Sequence, residues 1–174
     1  LANLNPPKTE FNNKAVGAAL NLLSNPQSTY KVIHITGTNG KGSTAAFIEA
    51  GLRAAGYKVG KYTSPYIHSL NECIVLDQVL ISNSELIATY LNLKEKLIIA
   101  KIALSSFEML TVIMFVYFAR ANCQYLVLEV GLGGLNDATN VVKSEYSIIT
   151  NVSLEHKEWL GNSLESIAWH KVGI

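Results

Sequence analysis

Short apolar runs alternate with longer helical patterns along the chain, and this alternation predicts an α/β fold. The strand-like runs are rich in branched residues and cover 32–36, 58–62, 73–76, 125–130 and 146–150. The helical patterns cover 14–23, 43–55, 85–100, 107–121 and 164–170. Several of the strands are continuously apolar, as is typical of strands covered on both faces. We therefore expect a mostly parallel sheet with helices on both faces.

Serine residues in front of three helical patterns predict where those helices begin. The expected N-caps are Ser84 before 85–100, Ser105 or Ser106 before 107–121, and Ser163 before 164–170. A turn after the strand 73–76 also suggests a hairpin that reaches Leu80.

The segment after the first strand combines three glycines with a lysine. Residues 34–44 read HITGTNGKGST. A helical pattern follows at once, so the glycines lie in a strand-to-helix loop. Such a loop lets backbone N–H groups approach an anion, the helix N-terminus adds partial positive charge, and a lysine reaches the outer phosphates. The segment therefore predicts a fold of the P-loop type, with Lys41 at the phosphates.

The loop departs from the usual phosphate-loop pattern, G-x-x-x-x-G-K-[ST]. Ile35 stands where the first glycine is expected, and Gly37 comes two residues later. Gly42 follows Lys41, so the first hydroxyl arrives one place late, at Ser43. An ordinary glycine turn, followed by a helix that Ser43 caps, is the alternative interpretation.

Polar residues follow three of the predicted strands at the point where each strand ends. Ser64 follows the second strand, Glu129 closes the run 125–130, and His156 comes after the last strand. Ligands of parallel sheets bind beyond the carboxyl ends of the strands, so these side chains are expected near Lys41. A buried carboxylate is costly unless it is paired or binds a metal, and Mg²⁺ prefers oxygen ligands. The pattern predicts a site for a nucleotide and magnesium.

Each of these residues also has a plainer explanation. An ion pair with a nearby lysine would account for Glu129, and a turn before Pro65 would account for Ser64. A lone histidine such as His156 is often only a hydrogen-bonded polar residue. The shared edge of the sheet favours the site over these separate explanations.

Composition narrows the class of protein further. The chain has 174 residues, 49% of them hydrophobic and 16% charged, with a formal net charge of +1. This describes one compact domain without a basic face for nucleic acid. The most apolar run, 109–119, is far shorter than the roughly 20 residues of a membrane span. Cys73 and Cys123 match no metal spacing and suggest free thiols in a reducing compartment, so we expect a cytoplasmic protein.

Six longer segments follow one another in the order TGTNGKGST, YTSPYIHSLNE, FEMLT, EVGLGGLNDATN, LEHKEWLGNSLESIA and HKVGI. In this order they closely resemble the amino-terminal domain of the folylpolyglutamate synthase / dihydrofolate synthase family, relatives of the Mur ligases. The resemblance runs from about residue 30 to the end of the chain. It implies a Mur ligase central-domain-like fold, in which residues 1–174 form an incomplete amino-terminal ATP-binding domain. A carboxyl-terminal Rossmann-like domain of the family is expected to be absent from this chain.

The resemblance also implies a reaction. Members of the family use ATP to convert a folate or dihydropteroate carboxylate into an acyl phosphate, which the amine of L-glutamate attacks with release of ADP and phosphate. The residues that match the ATP-binding positions are Thr38, Asn39, Gly40, Lys41, Gly42, Ser43 and Thr44. By the same resemblance the magnesium ligands are Ser64, Glu129 and His156, with Ser43 adding a hydroxyl near the phosphates.

Two further sets of residues are assigned by resemblance. Lys171 matches a family lysine that can be carbamylated, so the catalytic residues are expected to be Lys41, His156 and Lys171. A surface lysine after a helix is the alternative for Lys171. The segments that line the pterin or folate pocket of the family match Phe107, Glu108, Asn136 and Asp137. Core packing is the alternative for Phe107.

The chain departs from the family at three positions. Cys73 and Leu135 stand where the family usually or often has arginine, and Glu155 stands where it usually has aspartate. These changes bear on substrate preference more than on the fold.

Two other functions compete with the folate ligase. A Mur-type peptidoglycan precursor ligase shares the fold, but Gly42 and the segment FEMLT argue against it. A non-catalytic nucleotide-binding fragment is the other alternative, because half an active site is expected to turn over weakly or not at all. We expect a monomer that binds ATP, glutamate and folate or dihydropteroate, and neither nucleic acid nor membranes.

Overall fold

The computed structural model describes residues 12–174, which form six strands and six α-helices. The strands are β1 (Lys31–Thr36), β2 (Val59–Tyr62), β3 (Ile74–Leu76), β4 (Val79–Leu80), β5 (Tyr125–Glu129) and β6 (Tyr146–Ile149). The helices are α1 (Lys14–Leu22), α2 (Lys41–Ala54), α3 (Asn83–Ile99), α4 (Ser106–Arg120), α5 (Lys157–Leu160) and α6 (Leu164–Lys171). Short 3₁₀ helices cover Pro26–Ser28 and Leu70–Cys73.

The six strands form one sheet in the order β4-β3-β2-β5-β1-β6. The strands β2, β5, β1 and β6 pair in parallel, whereas β3 and β4 extend one edge as an antiparallel hairpin. In the parallel register Ile35 lies opposite both Glu129 and Ile148. The prediction of a mostly parallel sheet is confirmed, and so is the hairpin that reaches Leu80.

Alternate residues of the central strands supply two cores, one on each face of the sheet. Val32 and Leu126 belong to a large cluster with the buried sides of α1, α3 and α4. Ile33 and Val127 belong to a smaller cluster with α2. Both faces are therefore covered by helices, as the continuously apolar strands predicted.

Helix starts agree with the sequence at α4 and α6 but not at α3. Ser105 and Ser163 cap their helices, each accepting a backbone N–H bond. The predicted cap Ser84 is wrong, because α3 begins at Asn83 and its cap is Ser82. Ser82 accepts from the Glu85 backbone N–H, and the Glu85 carboxylate accepts in turn from the Ser82 N–H. The four-residue helix α5 was not predicted, since one turn is too short for a hydrophobic period.

Gly60 lies in the interior of β2, where a glycine is unusual. A Cβ atom at this position would lie 2.9 Å from ring carbons of Phe118, which is fully buried in α4. The missing side chain therefore lets α4 lie close against the sheet.

We expect Gly60→Ala to lower the free energy of unfolding by about 1–3 kcal/mol, because the added methyl group overpacks the contact with Phe118. Gly51→Ala is the matched control, since Gly51 lies exposed in α2 with nothing within 4 Å of the new methyl group. That change should stabilise the protein by up to about 1 kcal/mol. Urea unfolding measures both variants, and equal stabilities would contradict the close contact.

Candidate nucleotide and acceptor site

The glycine loop joins β1 to α2 and reaches the N-terminus of that helix. Gly40 adopts a left-handed conformation (φ 81°) and precedes Lys41, the first residue of α2, without a side-chain cap. The alternative in which Ser43 caps the helix is therefore wrong. Gly37 also has positive φ (145°), and a Cβ atom there would lie 1.8 Å from Thr150 Oγ1. Glycine at position 37 is thus required by the neighbouring segment as well as by the turn.

The loop is tied to the segment that follows β6. The backbone N–H groups of Thr38 and Asn39 donate to the carbonyl and side-chain oxygens of Asn151, at 3.1 and 3.0 Å. Thr150 Oγ1 donates to the Asn39 carbonyl at 2.6 Å. These bonds fix the backbone conformation of the loop. Sequence analysis missed Thr150 and Asn151, although both follow a strand at the same edge of the sheet.

Lys41 folds back onto its own loop. Its ammonium donates to the carbonyl oxygens of Gly37 at 2.8 Å and Thr38 at 3.2 Å. Ser43 and Thr44 lie in the first turn of α2, Ser43 exposed and Thr44 half-buried. A lysine and two hydroxyls therefore lie in the first turn of α2, where the first backbone N–H groups have no partner within the helix.

Glu129 and Ser64 meet beside this loop. The Glu129 carboxylate is only 4% exposed, and its Oε2 accepts from the Ser64 backbone N–H at 3.3 Å. A Cβ atom on Gly42 would lie 3.6 Å from the same Oε2. Burial raises the pKa of Glu129 above its ordinary value, and the nearby charge of Lys41 and the Ser64 bond act in the opposite direction. The expected proximity of Ser64, Glu129 and Lys41 is therefore observed.

His156 lies beside the loop, and Lys171 bonds to Glu155, which lies beside the loop as well. His156 is exposed at the start of α5 and shares a small cleft with Gly37, Lys41 and Glu155. The Lys171 ammonium is 1% exposed and donates to Glu155 Oε1 at 2.5 Å. The alternative of a surface lysine is therefore wrong for Lys171.

A larger cavity of about 620 Å³ opens on the far side of the segment 131–134. Its lining is largely apolar and aromatic, with few polar groups. The residues that line it are Ser64, Pro65, Tyr66, Leu70, Cys73, Ser106, Phe107, Leu110, Gly131, Leu132 and Asp137. This composition is typical of a small-molecule pocket. Sequence analysis missed Tyr66, Leu70 and Leu110, which show no polar signal of their own.

The predicted acceptor residues fall into two groups. Phe107 and Asp137 are among the described residues that line the cavity, whereas Glu108 and Asn136 are not. Glu108 instead accepts from the Ser105 backbone N–H at 2.7 Å, as the acidic member of the cap of α4. Roles of all four in substrate binding stay predictions.

The described residues contain neither a cluster of metal-binding side chains nor a membrane-spanning helix. Within residues 12–174, no three side chains among His, Cys, Asp and Glu lie close enough together to hold a metal by themselves. A magnesium ion at Glu129 would therefore need hydroxyl, phosphate or water oxygens as well. In the same part of the chain, no helix has the length and apolar character needed to cross a membrane.

Comparison with known proteins identifies the class of this fold and site. Residues 35–174 match the Mur ligase middle domain. The chain belongs to the Mur ligase family. Within that family, the predicted resemblance to folylpolyglutamate and dihydrofolate synthases is confirmed by the relatives and structures below.

Two curated relatives illustrate the similarity. A folylpolyglutamate synthase of Lacticaseibacillus casei is 40% identical over 162 residues, covering 89% of this chain and 37% of that protein. A dihydrofolate synthase/folylpolyglutamate synthase of Bacillus subtilis is 41% identical over 157 residues, covering 87% of this chain and 36% of that protein. The chain thus spans little more than a third of the length of these relatives.

Solved structures agree with this placement. An FPGS–AMPPCP–folate complex superposes with a TM-score of 0.94 and 35% identity, over 99% of this chain and 43% of that one. E. coli FolC in complex with DHPP and ADP gives a TM-score of 0.93 and 33% identity, over 98% and 41%. A bifunctional synthase with Mn, AMPPNP and L-glutamate bound gives 0.90 and 34%, over 99% and 41%. The predicted Mur ligase central-domain-like fold is confirmed.

We expect Glu129→Gln to stabilise the metal-free protein at pH 7, by about 1 kcal/mol, because it removes a buried charge. Since burial raises the pKa of Glu129, the folded state binds its proton more tightly than the unfolded state does. Wild-type stability therefore falls as the pH rises from the unfolded pKa through the folded pKa. The advantage of the variant should shrink as the pH is lowered toward about 4.

Urea unfolding in the presence of a chelator measures this difference at both pH values. Glu95→Gln, on the exposed side of α3, is the matched control and should show no such pH dependence. A Glu129→Gln variant that is less stable than wild type at pH 7 would contradict the assigned burial of the charge.

Proposed function

We propose that the complete protein is an ATP-dependent, ADP-forming amide ligase that adds L-glutamate to folate, to dihydropteroate or to both. One observation carries the proposal: Gly131 and Leu132 line both the large cavity and the small cleft beside Lys41. An acceptor held in the cavity would therefore present its carboxylate next to the terminal phosphate of a nucleotide on the loop. The relatives named above carry out, or bind the ligands of, this chemistry.

In the proposed reaction an acceptor carboxylate oxygen attacks the γ-phosphorus of ATP, and ADP leaves. The amine of L-glutamate then attacks the carbonyl carbon of the acyl phosphate, phosphate leaves, and the amine loses a proton. The backbone N–H groups of residues 40–43 would bind the phosphates, and Lys41 would stabilise the charge on the transferred group. Closure of the site from water would also need the part of the relatives that lies beyond this chain.

The side chains around the loop fit a magnesium ion. Glu129 is a buried carboxylate, and the hydroxyls of Ser64 and Ser43 belong to the same edge of the sheet. We propose that these groups and His156 hold the metal, which when bound would offset phosphate charge. Imidazole is a soft ligand for Mg²⁺, so the role of His156 rests on the family resemblance.

The cavity favours a flat aromatic acceptor. Phe107 and Tyr66 provide aromatic surface, and the described lining contains no lysine or arginine. We propose that the uncharged ring system of the acceptor enters this cavity and that its carboxylate points toward Lys41. Cys73, which stands where the family usually has arginine, makes this part of the lining uncharged.

We further propose that the protein acts as a cytoplasmic monomer on small-molecule substrates, with no nucleic acid or membrane partner. Both described cysteines are free and buried, which suits a reducing compartment. The low net charge of +1 is also more typical of a protein that binds small molecules than of one that binds nucleic acid.

The function is tested by ADP release from the full-length protein with Mg-ATP and glutamate. We expect release that depends on an added acceptor, with dihydropteroate and tetrahydrofolate supplied separately so that the better acceptor names the substrate. Lys41→Met should lower turnover at least about 100-fold, because it removes charge stabilisation from the transferred phosphoryl group.

Lys58→Met is a matched control, since that lysine donates to the Ala121 carbonyl away from the loop. It should keep turnover within about twofold. Release only with a muramyl acceptor would favour a Mur-type peptidoglycan ligase instead. Nucleotide binding without release for any acceptor would favour a non-catalytic module.

Carbamylation of Lys171 is a separate proposal. Only an uncharged amine reacts with CO₂, whereas Lys171 Nζ forms an ion pair with Glu155 in this structure. A carbamate on Lys171 would lie beside the Glu155 carboxylate, and a nearby cation would be needed to offset the repulsion between the two anions.

We therefore expect ¹³C-bicarbonate NMR of the full-length protein to show a carbamate with Mg-ADP present and little without it. Lys171→Arg is the control and should show none. A carbamate signal that survives in that variant would contradict the assignment to Lys171.

A further inference from the structure

His34 is a polar residue at the centre of the sheet. It lies on β1 between β5 and β6 and is 0% exposed. Its Nε2 lies 2.9 Å from Thr139 Oγ1, whereas its Nδ1 is buried without a hydrogen-bond partner among residues 12–174. An apolar side chain would fill this place without an unpaired nitrogen, so packing alone does not explain a histidine.

The contact with Thr139 continues to a buried carboxylate. Thr139 Oγ1 lies 2.5 Å from Asp137 Oδ1, which also accepts from the Thr139 backbone N–H at 3.0 Å. The other oxygen, Oδ2, accepts from the Leu132 backbone N–H at 2.9 Å. A continuous series of bonds therefore runs from the core of β1 to the glycine-rich segment after β5.

Counting protons assigns a direction to each bond. Burial lowers the pKa of His34 to about 4, so at neutral pH its ring carries one proton. Both Asp137 oxygens accept backbone N–H bonds, and Thr139 donates its one hydroxyl proton to Asp137 Oδ1. His34 must then donate from Nε2 to Thr139. The histidine thereby helps to hold the Thr139 hydroxyl in the orientation that donates to Asp137.

Asp137 lies in the wall of the cavity, where it packs closely against Gly131 and Phe107. Its Oδ2 lies 3.2 Å from the place where a Cβ on Gly131 would stand, and Phe107 Cζ lies 2.4 Å from that same point. The carboxylate, the aromatic ring and the glycine therefore meet at one crowded junction. All three residues line the cavity, so Asp137 determines where that wall stands.

We propose that His34 is a positioning residue for the acceptor site: through Thr139 it fixes the Asp137 carboxylate and, with it, the wall formed by Gly131 and Leu132. The inference rests on the proposed function for its kinetic consequence, but the bonds themselves do not depend on it. The larger effect is expected on the acceptor side, because Asp137 lines the cavity and does not line the cleft beside Lys41.

The kinetic test uses the full-length protein and two pairs of variants. His34→Leu and Thr139→Val each break the series of bonds. His34→Gln and Thr139→Ser keep a donor or hydroxyl at the same place. We expect the first pair to raise the KM for the pterin acceptor about tenfold, the scale of a lost hydrogen bond to a charged group. The KM for ATP should stay within about twofold, and the second pair should recover most of the loss.

The outcomes separate positioning from mere stability. Melting temperatures of all four variants show how much each change costs the fold. Loss of melting temperature with an unchanged acceptor KM would overturn the proposal. So would an equal rise in the KM for acceptor and for ATP, or a failure of His34→Gln and Thr139→Ser to recover binding.

A second measurement does not require the enzyme to be a folate ligase. The ¹⁵N shifts of the His34 ring at pH 7 should report a neutral imidazole protonated at Nε2, and Thr139→Val should change the Nε2 shift. A ring protonated at Nδ1 would overturn the proposal even if acceptor-dependent turnover is found. If turnover is absent but the tautomer is as expected, the proposed function fails and the positioning of Asp137 stands.

Discussion

Parallel pairing of β5, β1 and β6 is the constraint on which the rest of this structure depends. Its register places Ile35 opposite Glu129 and Thr36 opposite Ile149, so the three strands end side by side. The glycine loop, the Glu129 carboxylate and the Thr150–Asn151 segment consequently meet at one edge. A slip of one residue would turn Glu129 to the opposite face of the sheet and separate it from the loop.

The segment from Gly131 to Gly134 lies between two recesses at this edge of the sheet, a cleft and a cavity. On one side lies the cleft with Lys41, and on the other lies the apolar cavity with Phe107. Two buried carboxylates, Glu129 and Asp137, flank the segment, and burial raises the pKa of each. Asp137 accepts hydrogen bonds from Leu132 and Thr139 on its two carboxylate oxygens. Glu129 accepts one from the Ser64 backbone and lies beside the glycine loop and Lys41. This difference is why we propose metal binding for Glu129, whereas substrate binding by Asp137 stays a prediction.

The sequence predicted the features that depend on neighbouring residues and missed those that depend on distant ones. Apolar runs located the strands and long helices, and residue order identified the glycine loop. Ser82 and Ser84 are two residues apart, and the signal that separates the true cap from its neighbour is Glu85, three residues after Ser82. Asn151 and Thr139 act across 112 and 105 residues of chain, and only the folded sheet brings them to Asn39 and His34.

We propose that the glycine loop and Glu129 together hold a magnesium nucleotide. A crystal structure of the full-length protein with Mg-AMPPCP tests it most directly. We expect the terminal phosphates to be bound by the backbone N–H groups of residues 40–43 and by Lys41, with magnesium about 2.1 Å from a Glu129 oxygen. Phosphates bound elsewhere, or a magnesium ion that does not contact Glu129, would contradict it.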